Sequence, residues 1–86
     1  MAKAIIVAVR KDENGVITHV KAEVWVDGEQ KPDQVQAKYV ALQNILTFKW
    51  NYTVADGTPV HVVKRHYLRT DGNQTEEDNL GELPIF

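Results

Sequence analysis

The chain opens on an apolar run, Ala4-Ile5-Ile6-Val7-Ala8-Val9, that is short, rich in branched side chains and nearly uninterrupted. Such a run suits a central strand covered on both faces. From Val16 to Val26 the pattern switches to period two. Val16, Thr18, Val20, Ala22, Val24 and Val26 share one face, and Ile17, His19, Lys21, Glu23 and Trp25 the other. Between the runs, Asn14-Gly15 tolerates positive φ, so the two strands are expected to form a hairpin.

Asp27-Gly28 ends the second strand, and Pro32-Asp33 reads as the first turn of a helix. Val35, Tyr39, Leu42 and Leu46 follow at helical spacing and, widened by Ile45, predict one apolar stripe lying on the sheet, with Lys38 and Gln43 on the wet side. Next, Phe48, Trp50, Tyr52 and Val54 alternate with Thr47, Lys49, Asn51 and Thr53, which predicts an aromatic strand. Asp56-Gly57 marks a turn. After Pro59 the faces are Val60, Val62 and Lys64 against His61, Val63 and Arg65. The weaker alternation predicts an irregular end at Lys64 to His66, then a last extended piece from Tyr67 to Thr70.

These elements predict one α+β domain over residues 1–86: a small, mainly antiparallel sheet packed on one helix, in the order strand-strand-helix-strand-strand. The body spans 4–70. An acidic tail, 71–86, is expected to pack back through Leu80, Leu83, Pro84, Ile85 and Phe86.

Composition narrows the chemistry. A chain of 86 residues builds one modest core and has little room for an enclosed active-site cavity. Lys and Arg number 10 against 12 Asp and Glu, a net charge of -2 that predicts no general affinity for polyanions. The absence of cysteine excludes disulfides, thiol catalysis and cysteine-held metal, and the absence of serine excludes a serine nucleophile. The start lacks a secretory pattern and no apolar stretch is long enough to cross a bilayer, so the expected location is cytoplasmic.

His19, His61 and His66 are the only groups with an ordinary ionisation near neutrality, and their spacing matches no metal-ligand pattern. In the tail, Asp71, Asn73, Thr75 and Glu82 sit at calcium-loop offsets, but Glu76 occupies the place of the required glycine. No catalytic residue, cofactor or metal is therefore expected.

Two surface readings follow. Trp25, on the polar side of its strand, is a candidate anchor for a protein partner, with His19, Lys64, Arg65 and Arg69 as further members of an interaction surface. The leading expectation is a non-enzymatic protein-interaction or adaptor domain, either monomeric or paired through an edge strand, with no membrane partner. The alternative is weak nucleic-acid binding through Lys49, Lys64, Arg65 and Arg69, a stretch in which only Asp56 opposes the four cations. In that account the question is whether the acidic tail covers the patch.

Ile6-Val7-Ala8-Val9-Arg10-Lys11, Ile17-Thr18-His19-Val20 and, above all, the ending carry a resemblance. The ending consists of Tyr67-Leu68-Arg69-Thr70, Thr75, Asp78-Asn79-Leu80, Leu83-Pro84 and Phe86. Together these pieces resemble a small bacterial family without an assigned function, domain of unknown function 3892. The resemblance implies an intracellular stand-alone domain and supplies no activity, cofactor or partner. It also implies a structural job for the ending, with Tyr67, Arg69, Thr75, Asp78, Asn79, Leu80, Leu83 and Phe86 as its motif and Arg69 pairing with Asp78. Family members often carry more chain where Val63 here runs through Lys64-Arg65-His66 directly into Tyr67.

Overall fold

The computed structural model describes residues 2–70, 80 and 83–86. Strand β1 (Ala2–Lys11) and strand β2 (Ile17–Val26) form the expected antiparallel hairpin. Its turn is held by the Asp12 carboxylate, which accepts from the backbone N–H of Asn14 at 2.9 Å and of Val16 at 3.0 Å. Gly15 supplies the positive φ of 79° that the turn needs.

The next element corrects the sequence reading. Residues from Pro32 do not start a helix. They lie in strand β3 (Glu29–Ala37), antiparallel to β2, and helix α1 (Lys38–Leu46) begins only afterwards. The cause is Asp27-Gly28, whose φ values of 52° and 82° make a two-residue hairpin connection between Val26 and Glu29. Pro32 falls where the β2–β3 register shifts, in an outer strand that needs no donor from it.

Strand β4 (Asn51–Val54) returns parallel to β1, which completes a sheet of order β3-β2-β1-β4. The aromatic strand is thus shorter than expected. Lys49 takes φ 60°, and Phe48 stands 60% exposed before the strand begins. Strands β5 (His61–Val63) and β6 (Tyr67–Arg69) form a separate antiparallel pair. The predicted irregularity between them is a tight turn, closed by His66 N–H to the Val63 carbonyl at 3.1 Å. The fold is α+β with a mixed, mainly antiparallel sheet, and the strand before the helix is the addition to the expected order.

Two bulges set which face each side chain takes. Val7 is the extra residue between Ile6 and Ala8, so Ile6 and Val9 both reach the core side. Thr18 is the extra residue near the hairpin end, and it turns Ile17 into the core while Val16 stays outside, the reverse of the simple alternation. Val20, Ala22 and Val24 lie inward as expected.

The core contains Ala4, Ile6, Val9, Ile17, Val20, Ala22, Ala41, Tyr52, Val54, Val60, Leu68 and Leu80. The helix meets it with Ala41 and Asn44, flanked by Leu42 and Ile45. Val35, Tyr39 and Leu46, expected in the stripe, are exposed, Tyr39 at 72%. Ala41 is small enough to seat the helix closely. Asn44, a polar side chain facing the core, donates to the Tyr52 hydroxyl at 3.0 Å. That hydroxyl in turn donates to Gln36 Oε1 at 2.6 Å. Each fully buried branched side chain contributes about 1.5–3 kcal/mol, and the polar trio is tolerated because its members satisfy one another.

Among the described residues of the tail, Leu80 is buried and Leu83 packs on the core. Ile85 bridges Val9 in parallel on the edge that β4 leaves free beyond Ile6. Val9 N–H donates to the Pro84 carbonyl at 2.9 Å, and Phe86 N–H to the Val9 carbonyl at 3.1 Å. Thr75, Asp78 and Asn79 lie outside the described residues, so the Arg69–Asp78 pair does too.

Candidate functional site

The helix and the β5–β6 pair share the core on one side of the four-stranded sheet. No element among the described residues covers the other side. Directly paired residues point the same way, so the register fixes what this open face carries. Lys3 stands beside Trp25, Ile5 beside Glu23, Ala8 beside Lys21, and Arg10 beside His19. Val35 and Ala37 extend the face onto β3, and Asn51 and Thr53 onto β4. Along β1 and β2 it presents Lys3, Arg10 and Lys21 against Glu23 alone, a basic surface on a chain with more carboxylates than cations.

Trp25 is its most distinctive residue. The ring is half-buried, and the Lys3 ammonium lies 5.4 Å from the ring centroid, a cation–π arrangement. Its indole Nε1–H is buried and meets no acceptor among the described residues. Beside it lies a cavity of about 230 Å³ lined by Ala2, Lys3, Trp25, Gly28 and Asn51. That volume suits one side chain.

The other end of the face is occupied. Arg10 stacks 4.9 Å from the Phe86 ring centroid, and its Nε donates to the Phe86 carbonyl at 3.3 Å. His19 Nδ1 lies 3.1 Å from the Thr18 hydroxyl. Trp25 and His19 therefore share the surface that the period-two pattern assigned them.

The remaining sequence candidates lie elsewhere. Lys64 and Arg65 form the exposed tip of the β5–β6 turn, with φ of 51° and 62°. Arg69 is a correction: at 3% exposed it belongs to the interior of β6 and offers nothing to a surface. The basic patch expected from Lys49, Lys64, Arg65 and Arg69 loses that member, and Lys49 sits in the loop after α1. Tyr67 carries the Lys38 ammonium 5.4 Å above its ring and meets His66 edge-on.

His61 and His66 are exposed on the second sheet, apart from the sheet that holds His19. Among the described residues there is no group of three or more His, Asp or Glu side chains placed to hold a metal ion. A second cavity, about 360 Å³, is lined by Val54, Ala55, Asp56, Thr58, Thr70, Leu80 and Leu83. Its one carboxylate, Asp56, is held below the ordinary carboxylate range by hydrogen bonds from Thr58, whose N–H lies 2.9 Å away. That is the work of a turn.

Sequence reasoning placed Lys21 on the face of Trp25 but missed Lys3 and Ile5 as companions. The sequence held no signal for this: Lys3 and Arg10 are seven positions apart and take opposite faces of a regular strand, and the bulge at Val7 is what brings both to the open face. Among the described residues no helix is long and apolar enough to cross a membrane. A family model described as a protein of unknown function (DUF3892) matches residues 5–84. No curated protein and no solved structure matches the chain.

Proposed function

The chain belongs to the DUF3892 family, and from that premise, which brings no activity with it, we propose a non-enzymatic protein-interaction domain. Its recognition surface is the open face of the four-stranded sheet, centred on Trp25. One observation carries this reading: Trp25, a large aromatic side chain, stands on a sheet face that no element among the described residues covers, beside a cavity of about 230 Å³. Tryptophan contributes disproportionately where proteins meet, because it combines a large apolar body with one directional donor. Ile5 and Val35 add apolar area beside it, and Lys3 and Lys21 form a basic margin.

The edge of β3 supports the face rather than an edge-pairing mode. Pro32 and the register shift interrupt that edge midway, and both features discourage a further strand from adding to it. Nucleic-acid binding through Lys49, Lys64, Arg65 and Arg69 is the weaker reading, since Arg69 is buried.

The test places a photo-crosslinking residue at Lys21 or Val35, on the open face, and at Gln43, on the outer side of the helix, in the native host. Discrete protein adducts are expected from the two sheet positions, and Trp25→Ala abolishes them. Adducts from Gln43 alone, or adducts indifferent to Trp25, overturn the assignment.

A further inference from the structure

We infer that the open face of the sheet is covered by the same face of a second copy of this chain, in a two-fold pairing that crosses at Ile6 and Ala22. The inference rests on the binding-surface reading above and names the partner. Its ground is the layout of the face, which is complementary to itself in charge and in shape and large enough to hold two copies together.

The layout follows from the β1–β2 register, in which Ile6 pairs with Ala22. Three ladder steps to one side stand Lys3 and Trp25, and three to the other stand Arg10 and His19. One step out lie Ile5 and Glu23 on the first side, Ala8 and Lys21 on the second. A two-fold axis running across the strands at Ile6 and Ala22, between two stacked sheets, exchanges the two sides. It sets Lys21 of each copy over Glu23 of the other. Both side chains are half-buried, and neither forms an ion pair with another described residue. The axis also sets Ile5 over Ala8, large against small, as the facing layers of stacked sheets interdigitate. An isologous interface requires this reciprocity.

The ends of the face complement each other as well. Ile85 bridges Val9 on the β4 side of β1, so Phe86, next along, turns to the open face, where its ring meets Arg10. The cavity of about 230 Å³ opens at the other end of the same side, beside Trp25 and the paired Lys3 and Asn51. The axis carries Phe86 of one copy to that cavity in the other, where its ring seats against the indole. Lys3 and Arg10 come together at the two ends, both exposed, where water screens them.

Extent agrees. Strands of ten, ten and nine residues are about 30 Å long, and a sheet of four strands spans roughly 15–20 Å. The projected face is on the order of 500 Å², and its accessible surface is larger, which approaches the ~800 Å² per partner of a standard interface. With Arg10 engaged by Phe86, the face carries Lys3 and Lys21 against Glu23, and so small a charge raises little repulsion between two copies. The apolar run of β1 points the same way: a strand apolar on both sides calls for cover on both sides, and the core supplies it on one.

Sedimentation equilibrium of the full chain should show monomer and dimer exchanging with a dissociation constant in the micromolar range, the weak end for an interface of this size. Lys21→Glu and Glu23→Lys each bring like charges face to face twice, and each should weaken the dimer at least tenfold. An equimolar mixture of the two variants restores both pairs and should dimerise as the parent chain does. So should the double variant Lys21→Glu/Glu23→Lys, which also shows that the changes leave the fold intact. In a dimer of one isotope-labelled and one unlabelled copy, filtered nuclear Overhauser effects are expected between the Trp25 indole and the Phe86 ring. Within one copy Trp25 stands six ladder steps, about 20 Å, from the level of Arg10 and Phe86, so that signal arises only between copies.

A monomer at roughly 1 mM, a dimer indifferent to the two charge changes, or a mixture that fails to re-form it overturns the inference. The crosslinking experiment separates the two levels. Adducts from Lys21 and Val35 to a different protein, with the chain monomeric in the centrifuge, remove the second copy and leave the recognition face standing. A monomer with no adducts from either position removes both.

Discussion

Tyr52 reaches from β4 over the two inner strands to Gln36 on β3, so one side-chain hydrogen bond of 2.6 Å joins the outer strands of the sheet. Strands lie about 4.8 Å apart, and a tyrosine meeting a glutamine spans the three intervals. Ala4, the β1 partner of Tyr52, and Ala22 are small and buried in the same core. Burial pushes the Tyr52 hydroxyl above its ordinary 10.0, an effect that hydrogen bonds with Asn44 and Gln36 partly oppose. The unfolded phenol ionises first as pH rises. Stability from this group is therefore complete below pH 10 and drains away as pH climbs through the higher folded value. Tyr52→Phe should cost about 1–3 kcal/mol near neutrality, because Gln36 Oε1 and Asn44 Nδ2 lose their shared partner. The variant should also lose stability less steeply above pH 10. Urea unfolding of both proteins across that range checks the two effects together; identical slopes above pH 10 would contradict the assignment to Tyr52.

At the scale of elements, the turn between β5 and β6 is made by two non-glycine residues in the left-handed region, Lys64 and Arg65. Such a turn matches the twist of a hairpin, but each L side chain there costs about 1–2 kcal/mol relative to residues that accept positive φ. Replacing the pair by Asn-Gly should stabilise the chain by about 1 kcal/mol, visible as a rise in thermal midpoint. An unchanged or lower midpoint would mean that the two side chains hold contacts worth more than the backbone strain. The same physics explains what was legible. The β1–β2 hairpin could be read because period two and Asn14-Gly15 agree. The equally short Asp27-Gly28 connection was not used as a hairpin signal, because the polar residues after it look nothing like a strand. An outer strand buried on one side only near Gln36 has no hydrophobic pattern to offer. The helical stripe went astray for a related reason: Val35 fits helical spacing but belongs to a strand, and Asn44 faces the core through a partner that only the fold supplies. Of the open face, Trp25, Lys21 and His19 were visible from strand parity. Lys3 joined them only through the β1–β2 register.

At the scale of the whole molecule, the last described residues complete a sheet edge that lies at the other end of the chain. β4 pairs with β1 only from Lys3 to Ile6, and the Pro84–Phe86 segment takes up the same edge at Val9. Leu80, 4% exposed, and Leu83 fasten that segment to the core, and Arg10 clasps Phe86 from the open face. The terminal segment therefore acts on the open face as well as on stability, since it fixes one cation of the proposed recognition surface in place. Leu80→Ala should cost about 2–5 kcal/mol as a buried large-to-small change. Removing residues 83–86 should speed hydrogen exchange at the Val9 amide by roughly tenfold or more, because that amide donates to the Pro84 carbonyl. Exchange at Ile5 and Ile6, whose edge β4 protects, should rise only as far as global stability falls. Val9 exchanging at one rate in both proteins would show that the edge is closed by something other than this segment.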